Sequence, residues 1–273
     1  DGEGKYFYPF GNTYVGNWKN GKKEGEGTYI YTFGGKYIGS WADDKKHGKG
    51  FSIDGQGNSY EGDYAYGEME GEGIYKFKNG NMYIGTFLKG KKHGKGVLTY
   101  ANGDIYEGDF QSGNMEGQGI YKFSNGNEYH GQWKNDKSHG EGKYIFKNGD
   151  IYIGSFSNGK EDGKGIFTYS NGEIYDGDFK EGKRTGHGKF SFKNGNKYEG
   201  EFWDGIKNGK GTFKYPNGNT YEGEWKGDNR HGQGTFTYAN GAFYSGEWDN
   251  GLIHGYGIYN YVNGDIYEGD FIE

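Results

Sequence analysis

One pattern of aromatic and glycine positions recurs along the chain. It reads Tyr-x-Gly-x followed by Trp, Phe or Tyr, and it occurs twelve times at intervals of 23 residues without insertion or deletion. A period of this length, held so strictly, predicts a stacked array of repeats rather than a globular domain. Each copy begins at an anchor tyrosine, and these are Tyr14, Tyr37, Tyr60, Tyr83, Tyr106, Tyr129, Tyr152, Tyr175, Tyr198, Tyr221, Tyr244 and Tyr267.

Within each repeat, apolar and polar residues alternate in two short segments. In the repeat that ends at Trp248, the segments are residues 232–238 and 242–248, and they flank the sequence Ala-Asn-Gly. Alternation with period two predicts strands with two different faces. Asn-Gly between such segments predicts a hairpin turn, because glycine adopts positive φ without a steric penalty.

Strand parity selects the length of this turn. A two-residue turn would put Phe236 and Tyr244 on opposite faces, whereas a three-residue turn puts them on the same face. The longer turn also places Gly234 opposite Gly246, so that aromatic rings can lie over bare glycine backbone. The other connection, as in residues 19–24, is predicted to be a loop of about six residues, in the upper part of the range usual for short connections.

These hairpins predict an all-β fold, an elongated and twisted single antiparallel sheet of stacked β-hairpins. Two strands per repeat at ~4.8 Å spacing give ~10 Å per repeat and a rod of roughly 110–120 Å. The pattern fills the chain, so we expect one array over residues 1–273 with about twelve repeats. The chain opens at Asp1 inside a repeat and lacks an initiator Met. We therefore expect it to be a fragment.

Composition supports an aromatic array rather than an ordinary core. Hydrophobic residues make up 31%, and most of them are among the 28 Tyr, 19 Phe and 6 Trp. The absence of cysteine excludes disulfides and thiolate zinc sites, which fits the cytosol. No apolar run reaches the ~20 residues that a membrane-spanning helix needs, and we expect no signal peptide before the first repeat.

The repeat carries a recognisable signature. Tyr-Glu-Gly-Glu-Trp at residues 221–225 is followed by His-Gly-Gln-Gly at residues 231–234 and then by Asn-Gly. The whole chain resembles MORN repeats (membrane occupation and recognition nexus). This resemblance implies a groove-shaped ribbon of hairpins and a scaffold or adaptor role, as in protist cytoskeletal and membrane-edge scaffolds or ciliary radial spokes. It also implies a cytoplasmic location at the cytoskeleton or a membrane, with the ciliary axoneme as an alternative.

We interpret the protein as a non-catalytic scaffold that binds a helix or extended peptide of a partner protein along an aromatic groove. Aromatic rings supply stacking area for such a partner. The rings expected to line the groove, together with the anchor tyrosines, are Trp18, Trp41, Phe87, Trp133, Trp225 and Trp248.

Apolar residues on the opposite, otherwise polar face predict a contact surface, for example for a homodimer. The first group comprises Phe7, Val15, Ile30, Ile38, Phe51 and Ile53, and the second comprises Ile145, Ile151, Ile153, Ile166 and Ile174. Scattered β-branched residues are also ordinary in strands, and this alternative stays open.

Basic residues gather in the longer connections. Stacking of the repeats would align these residues into a basic edge. Binding of anionic phospholipids such as phosphoinositides by this edge is the alternative function. A solvated edge that keeps the protein soluble is the other interpretation, since the formal net charge is −6. The residues concerned are Lys22, Lys23, Lys45, Lys46, Lys91, Lys92, Lys183 and Arg184.

Catalytic and metal sites are not predicted. Five histidines occupy equivalent positions of different repeats, so neighbours should lie ~10 Å apart, too far for one zinc ion; they are His47, His93, His139, His231 and His254, while His130 and His187 are isolated. No phosphate-loop or dinucleotide motif occurs. We expect no enzyme activity, no cofactor and no nucleic acid partner.

The third repeat departs from the pattern. Ser52 and Asp54 replace the two strand aromatics, and Gln56 replaces the turn asparagine. We therefore predict a kink, a change of twist or a partner-binding notch within residues 46–64.

Overall fold

The structure is a computed structural model that describes residues 1–272. The chain divides into two compact units, Asp1–Lys137 and Ser138–Glu273. Every regular element of the described residues is a β-strand, and the strands form antiparallel sheet. The predicted all-β fold of stacked hairpins is therefore confirmed, while the single array over 1–273 stays a prediction.

In the first unit, each strand pairs with its neighbours in sequence, so the unit is an antiparallel meander. Its strands are β1 (Gly2–Phe7), β2 (Thr13–Lys19), β3 (Lys22–Ile30), β4 (Gly35–Ala42), β5 (Lys45–Asp54), β6 (Ser59–Ala65), β7 (Glu68–Lys76), β8 (Met82–Leu88), β9 (Lys91–Thr99), β10 (Ile105–Gln111), β11 (Asn114–Lys122) and β12 (Glu128–Lys134).

The second unit is a meander of the same kind. Its strands are β13 (Lys137–Ile145), β14 (Ile151–Ser157), β15 (Lys160–Thr168), β16 (Ile174–Lys180), β17 (Lys183–Ser191), β18 (Lys197–Trp203), β19 (Ile206–Lys214), β20 (Thr220–Lys226), β21 (Asn229–Thr237), β22 (Phe243–Asp249), β23 (Leu252–Asn260) and β24 (Ile266–Phe271).

The Asn-Gly turn has the predicted length and register. Between β21 and β22, Gly234 lies opposite Gly246 and Gly232 lies opposite Trp248. The Gly241 backbone N–H donates to the Tyr238 carbonyl at 2.9 Å, and Gly241 has φ of 90°. Glycine favours this left-handed conformation. The parity argument from the aromatic positions is therefore confirmed.

The prediction of a six-residue loop at the other connection is wrong. Between β2 and β3 the turn contains only Asn20 and Gly21, both with positive φ, and Lys19 pairs with Lys22. Two consecutive positive φ values define the tight turn that matches the twist of antiparallel strands. The register then shifts by two residues between Gly16 and Trp18, and this β-bulge places Tyr14 opposite Tyr29 and Gly16 opposite Gly27 while the same residues of β3 stay on the aromatic face.

The buried layer of the aromatic face consists of each anchor tyrosine and the ring four residues later, and we call it the spine. Tyr221 packs edge-on against Trp225 and against Trp248 of the next repeat, with both pairs of ring centroids 5.2 Å apart. The Tyr221 hydroxyl donates to the Glu224 carbonyl at 2.9 Å. A Cβ on Gly234 would lie closer than 3 Å to the Tyr221 ring, so glycine is required there. The spine is thus built from close contacts between rings and bare backbone.

A second row of rings, the outer ladder, lies beside the spine. Its members stand eight and six residues before each anchor. Phe213 and Tyr215 are 4.7 Å apart between centroids, and Tyr215 lies 5.8 Å from Phe236 of the next repeat. In the second unit the ladder is unbroken through Tyr144, Phe146, Phe167, Tyr169, Phe190, Phe192, Phe213, Tyr215, Phe236, Tyr238, Tyr259 and Tyr261.

Candidate functional site

The rings predicted to line a protein-binding groove lie on the aromatic face, but they belong to the spine. Five of the six are only 4–7% exposed, namely Trp41, Phe87, Trp133, Trp225 and Trp248, and Trp18 is half-buried. The next repeat covers them, since its own ring packs on the same anchor tyrosine. These rings therefore stabilise the array, and they offer little surface to a partner.

The accessible rings of this face belong to the outer ladder. Tyr169, Phe192, Tyr215 and Tyr238 are half-buried, and each stands six residues before an anchor tyrosine. The sequence marks these positions as aromatic. It does not show that their exposure differs from that of the spine, because the difference depends on how the next repeat packs.

The basic residues of the predicted lipid-binding edge separate into two sets. Lys22, Lys45, Lys91 and Lys183 are exposed directly after the two-residue turns. Lys22 Nζ lies 2.7 Å from an Asp43 carboxylate oxygen, and Lys183 forms an ion pair with Asp204. The other four turn toward the aromatic face, namely Lys23, Lys46, Lys92 and Arg184. The structure thus places half of the predicted set at the edge.

The cations on the aromatic face stand nine residues after an anchor tyrosine. Lys46 Nζ lies 5.0 Å from the centroid of the Tyr37 ring, and Lys92 Nζ lies 4.8 Å from that of Phe110. Rings attract cations through their quadrupole. Burial lowers the pKa of both lysines, because desolvation disfavours the charged ammonium. The bulge shifts the pairing by two residues and leaves the parity of the strand unchanged, so alternation within the strand already turns Lys46 and Lys92 toward the aromatic face. Sequence analysis missed this orientation because it placed these residues in a loop.

The first apolar group forms two adjacent rows on the second face of the first unit. Val15 pairs with Thr28, Thr28 with Ile38, and Ile38 with Phe51. The flanking row contains Phe7, Ile30 and Ile53. Phe7, Val15, Ile30 and Ile38 are between 42% and 68% exposed. Thr13 and Lys36 stand between the apolar residues of the flanking row, so the patch is interrupted by polar side chains, and its role as an interface stays a prediction.

The second isoleucine group is likewise brought together by strand pairing. Ile145 pairs with Ile151, and Ile153 pairs with Ile166. A further run was missed in the sequence analysis, in which Ile74 pairs with Ile84 and Ile84 pairs with Val97. The alternation within each strand could have shown it, because Ile84 occupies the polar-face position of Ile38, and Ile74 and Val97 occupy those of Thr28 and Phe51, which pair with Ile38.

The third repeat contains a hollow of about 300 Å³ where its two aromatic rings are replaced. Ser52, Asp54, Lys46 and Tyr75 are among the residues that line it. The Tyr64 hydroxyl reaches into the space of the lost ring and donates to Ser52 Oγ at 2.7 Å. The pairing of β4, β5 and β6 continues through this repeat. The departure from the pattern therefore produces a notch in the outer ladder, and binding of a partner there stays a prediction.

Within residues 1–272, no three histidine, aspartate or glutamate side chains converge into a cluster that could hold a metal ion. His130 Nε2 lies 2.8 Å from a Glu128 carboxylate oxygen, and His231 Nδ1 lies 3.3 Å from one of Asp249. The histidines for which contacts are seen thus meet single neighbours. No helix suited to crossing a membrane is found in the same part of the chain.

Stacked hairpins, a glycine-backed spine and a 23-residue period together define a β-repeat protein. The MORN repeat matches eleven consecutive segments, and the chain belongs to the MORN-repeat family. The segments are residues 14–35, 37–59, 60–82, 83–105, 106–128, 129–151, 152–174, 175–197, 198–220, 221–243 and 244–266. The twelfth anchor, Tyr267, follows the last of them. MORN repeats indicate a repeat protein involved in binding.

Similarity to solved structures is weak. The TCP10 domain of Danio rerio CPAP, in complex with a peptide of Danio rerio STIL, has a TM-score of 0.32 and 11% identity, covering 99% of each chain. The SAS-4 (dCPAP) TCP domain of Drosophila melanogaster, in complex with a proline-rich motif of Ana2 (dSTIL), has a TM-score of 0.32 and 15% identity, covering 64% of this chain and 84% of its own. No curated protein matches. These similarities support no conclusion about function.

Proposed function

We propose that this chain is a non-catalytic scaffold or adaptor that binds a partner protein along its aromatic face, in the cytoplasm near the cytoskeleton or a membrane. The observation that supports this proposal is the outer ladder of the second unit. Its rings run without interruption over successive repeats, and the ring six residues before each anchor stays accessible. Half-exposed aromatic rings provide large contact areas at small cost in side-chain entropy.

The repeated architecture also favours binding over catalysis. A catalytic site needs one asymmetric cluster of groups, whereas each repeat presents nearly the same residues as the next. An extended surface of repeated contacts suits a long partner segment, such as a helix or an extended peptide.

Site-specific photo-crosslinking tests the proposal. Benzoylphenylalanine at Tyr169, Phe192 or Tyr215 should capture a protein partner in cells. The same probe at the exposed second-face positions Lys197 and Lys210 should not. A Glu substitution at a neighbouring ladder ring should abolish the capture. Equal capture from both faces would contradict the proposal.

Self-association through the second face is a second candidate, favoured by the exposed apolar residues that strand pairing brings together in the first unit. The exposed fractions of Ile30 and Ile38 are 48% and 42%. Light scattering should then give the mass of a dimer for the wild type and of a monomer for Ile30→Glu/Ile38→Glu. An unchanged mass in the double variant would remove this surface from consideration.

Binding of anionic phospholipid by the lysine edge has less support from the geometry. Two of the four exposed lysines form ion pairs with aspartates of the next repeat, which reduces the charge available to a headgroup. Flotation with phosphoinositide vesicles at low and high salt tests this alternative, since electrostatic binding weakens with ionic strength.

A further inference from the structure

Three cations stand in successive repeats of the second unit on its aromatic face. Arg184, Lys207 and Arg230 each lie nine residues after an anchor tyrosine, and we call them the cation row. Arg230 Cζ lies 4.2 Å from the centroid of the Trp248 ring, and Lys207 Nζ lies 4.1 Å from that of Trp225. The row therefore rests on the spine, next to the outer ladder.

No carboxylate within residues 1–272 forms an ion pair with any member of the cation row. Arg184 and Arg230 each donate one hydrogen bond to the carbonyl of a turn glycine, at 2.5 Å. A guanidinium has five N–H donors, so each retains free donors. Burial lowers the pKa of Lys207, and the negative charge of the nearby Asp228 opposes this shift in part. The aromatic face thus carries half-buried positive charge that is only partly compensated.

The surface beside the row is concave at one end. A cavity of about 430 Å³ is lined by Arg230 and by the rings of Phe236, Tyr238 and Trp248. One cation of the row, Arg230, and one accessible ring, Tyr238, therefore line the same depression. A partner that covers the rings must also meet the charges, and complementary charge lowers the cost of removing them from water.

The spacing of the row fits an α-helical partner better than an extended β-strand. Successive repeats are ~10 Å apart, from two strand spacings. In an α-helix, residues seven apart share a face and are separated by about 10.5 Å. In a β-strand, residues three apart span about 10 Å but point to opposite faces. The apolar positions between heptad-spaced carboxylates of a helix form a stripe that can cover the outer ladder.

We propose that the aromatic face of the second unit binds an acidic amphipathic helix whose carboxylates recur every seven residues and meet Arg184, Lys207 and Arg230 in turn. The apolar residues between the carboxylates pack on the outer ladder. This inference rests on the proposed function, because it names the kind of protein segment that the aromatic face accepts.

The test uses labelled helical peptides of about 21 residues with Leu on one stripe. One peptide has Glu at every seventh residue, a second has the same composition with Glu at every fifth, and a third has Gln in place of Glu. Fluorescence anisotropy should show that the first binds at least about tenfold more tightly than the others, with an affinity that falls as salt is raised. Arg184→Gln/Lys207→Gln/Arg230→Gln should remove this preference.

The matched control is Lys197→Gln/Lys210→Gln/Lys214→Gln. It has the same change in charge, and these exposed lysines lie on the second face. It should bind all peptides as the wild type does. Thermal unfolding of both triple variants verifies that they are folded.

Each contrary result has a distinct meaning. Equal binding of the Glu and Gln peptides would overturn the cation row and leave the proposed function standing. Tighter binding of a polyproline II peptide with Glu at every third residue, a spacing of about 9.3 Å, would overturn the helix. If no peptide binds, or if the cation row binds only anionic vesicles, the inference is overturned. The proposed function is tested separately by the photo-crosslinking experiment.

Discussion

The third and the eleventh repeats share one layer of the aromatic face and differ in the other. In both, the spine ring packs edge-on against two anchor tyrosines, with Tyr64 lying 5.0 Å from Tyr37 and Trp248 lying 5.2 Å from Tyr221. In the outer ladder, the eleventh repeat has Phe236 where the third has Ser52. The spine is thus kept where the ladder is interrupted, which indicates that the two layers contribute differently to stability and to binding.

The largest effect should come from introducing the residue of the third repeat into the eleventh. Phe236→Ser removes a ring that is 8% exposed and packs between two neighbouring rings. We expect the free energy of unfolding to fall by about 3–5 kcal/mol. In the third repeat the Tyr64 hydroxyl occupies the space of the missing ring, but the eleventh repeat has no corresponding hydroxyl. Urea unfolding measures this, with the exposed Lys214→Ala as control. A loss below about 1 kcal/mol would show that the eleventh repeat tolerates a notch as well.

Glycine substitutions should affect both repeats alike. In Gly50→Ala and Gly234→Ala, the new Cβ would lie closer than 3 Å to the rings of Tyr37 and Tyr221, respectively. Each should lower the free energy of unfolding by about 1–3 kcal/mol through overpacking. The comparison of the two losses in urea unfolding tests whether the spines are equivalent. If the free energy of unfolding falls in only one of the two variants, the spines of the two repeats are not equivalent.

The hydrogen bond that fills the notch should have a smaller effect. In Ser52→Ala the buried Tyr64 hydroxyl loses its acceptor, which should cost about 1–2 kcal/mol. In the double variant Ser52→Ala/Tyr64→Phe both partners are gone, so its loss should be less than the sum of the single losses. Additive losses would mean that Ser52 and Tyr64 act independently.

The smallest effect should appear in alkaline solution. Burial raises the pKa of Tyr64 to about 12, mainly by desolvation, whereas the eleventh repeat has Trp248 at this position. A pKa raised in the folded state means that the unfolded state loses its proton first. The stabilisation is therefore full below pH 10 and is lost as the pH rises above it. Between pH 9 and 11, wild type should lose about 1 kcal/mol more than Tyr64→Phe in urea unfolding. Equal losses would show that Tyr64 does not titrate abnormally.

The register of the hairpins could be predicted from the sequence because alternation has a strict period of two. For the aromatic residues between 236 and 248, only one of the two turn lengths places all rings on one face. The second turn was mispredicted at residues 19–24, where Asn20-Gly21 is itself a tight-turn pair. Its strand contains a bulge of two extra residues, and parity alone does not reveal it because two residues leave the alternation unchanged.

The candidate site was predicted less well, for a related reason. Trp225 and Tyr215 are both aromatic, and only the packing of the next repeat makes the first buried and the second accessible. Arg184 was also mispredicted, as part of a basic edge, because it was placed in a loop; it lies in β17, where alternation turns it toward the rings. Exposure depends on neighbouring repeats, and a pattern within one repeat does not contain it.

Spine contacts have one more consequence, which concerns folding. Tyr221 contacts one ring four residues away and another 27 residues away, and the other anchors repeat these separations. Contacts so local in sequence require only short chain segments to close, and this favours fast folding with many possible starting points. We therefore expect that damage to one repeat melts its neighbourhood first, so that hydrogen exchange would report regional rather than uniform protection.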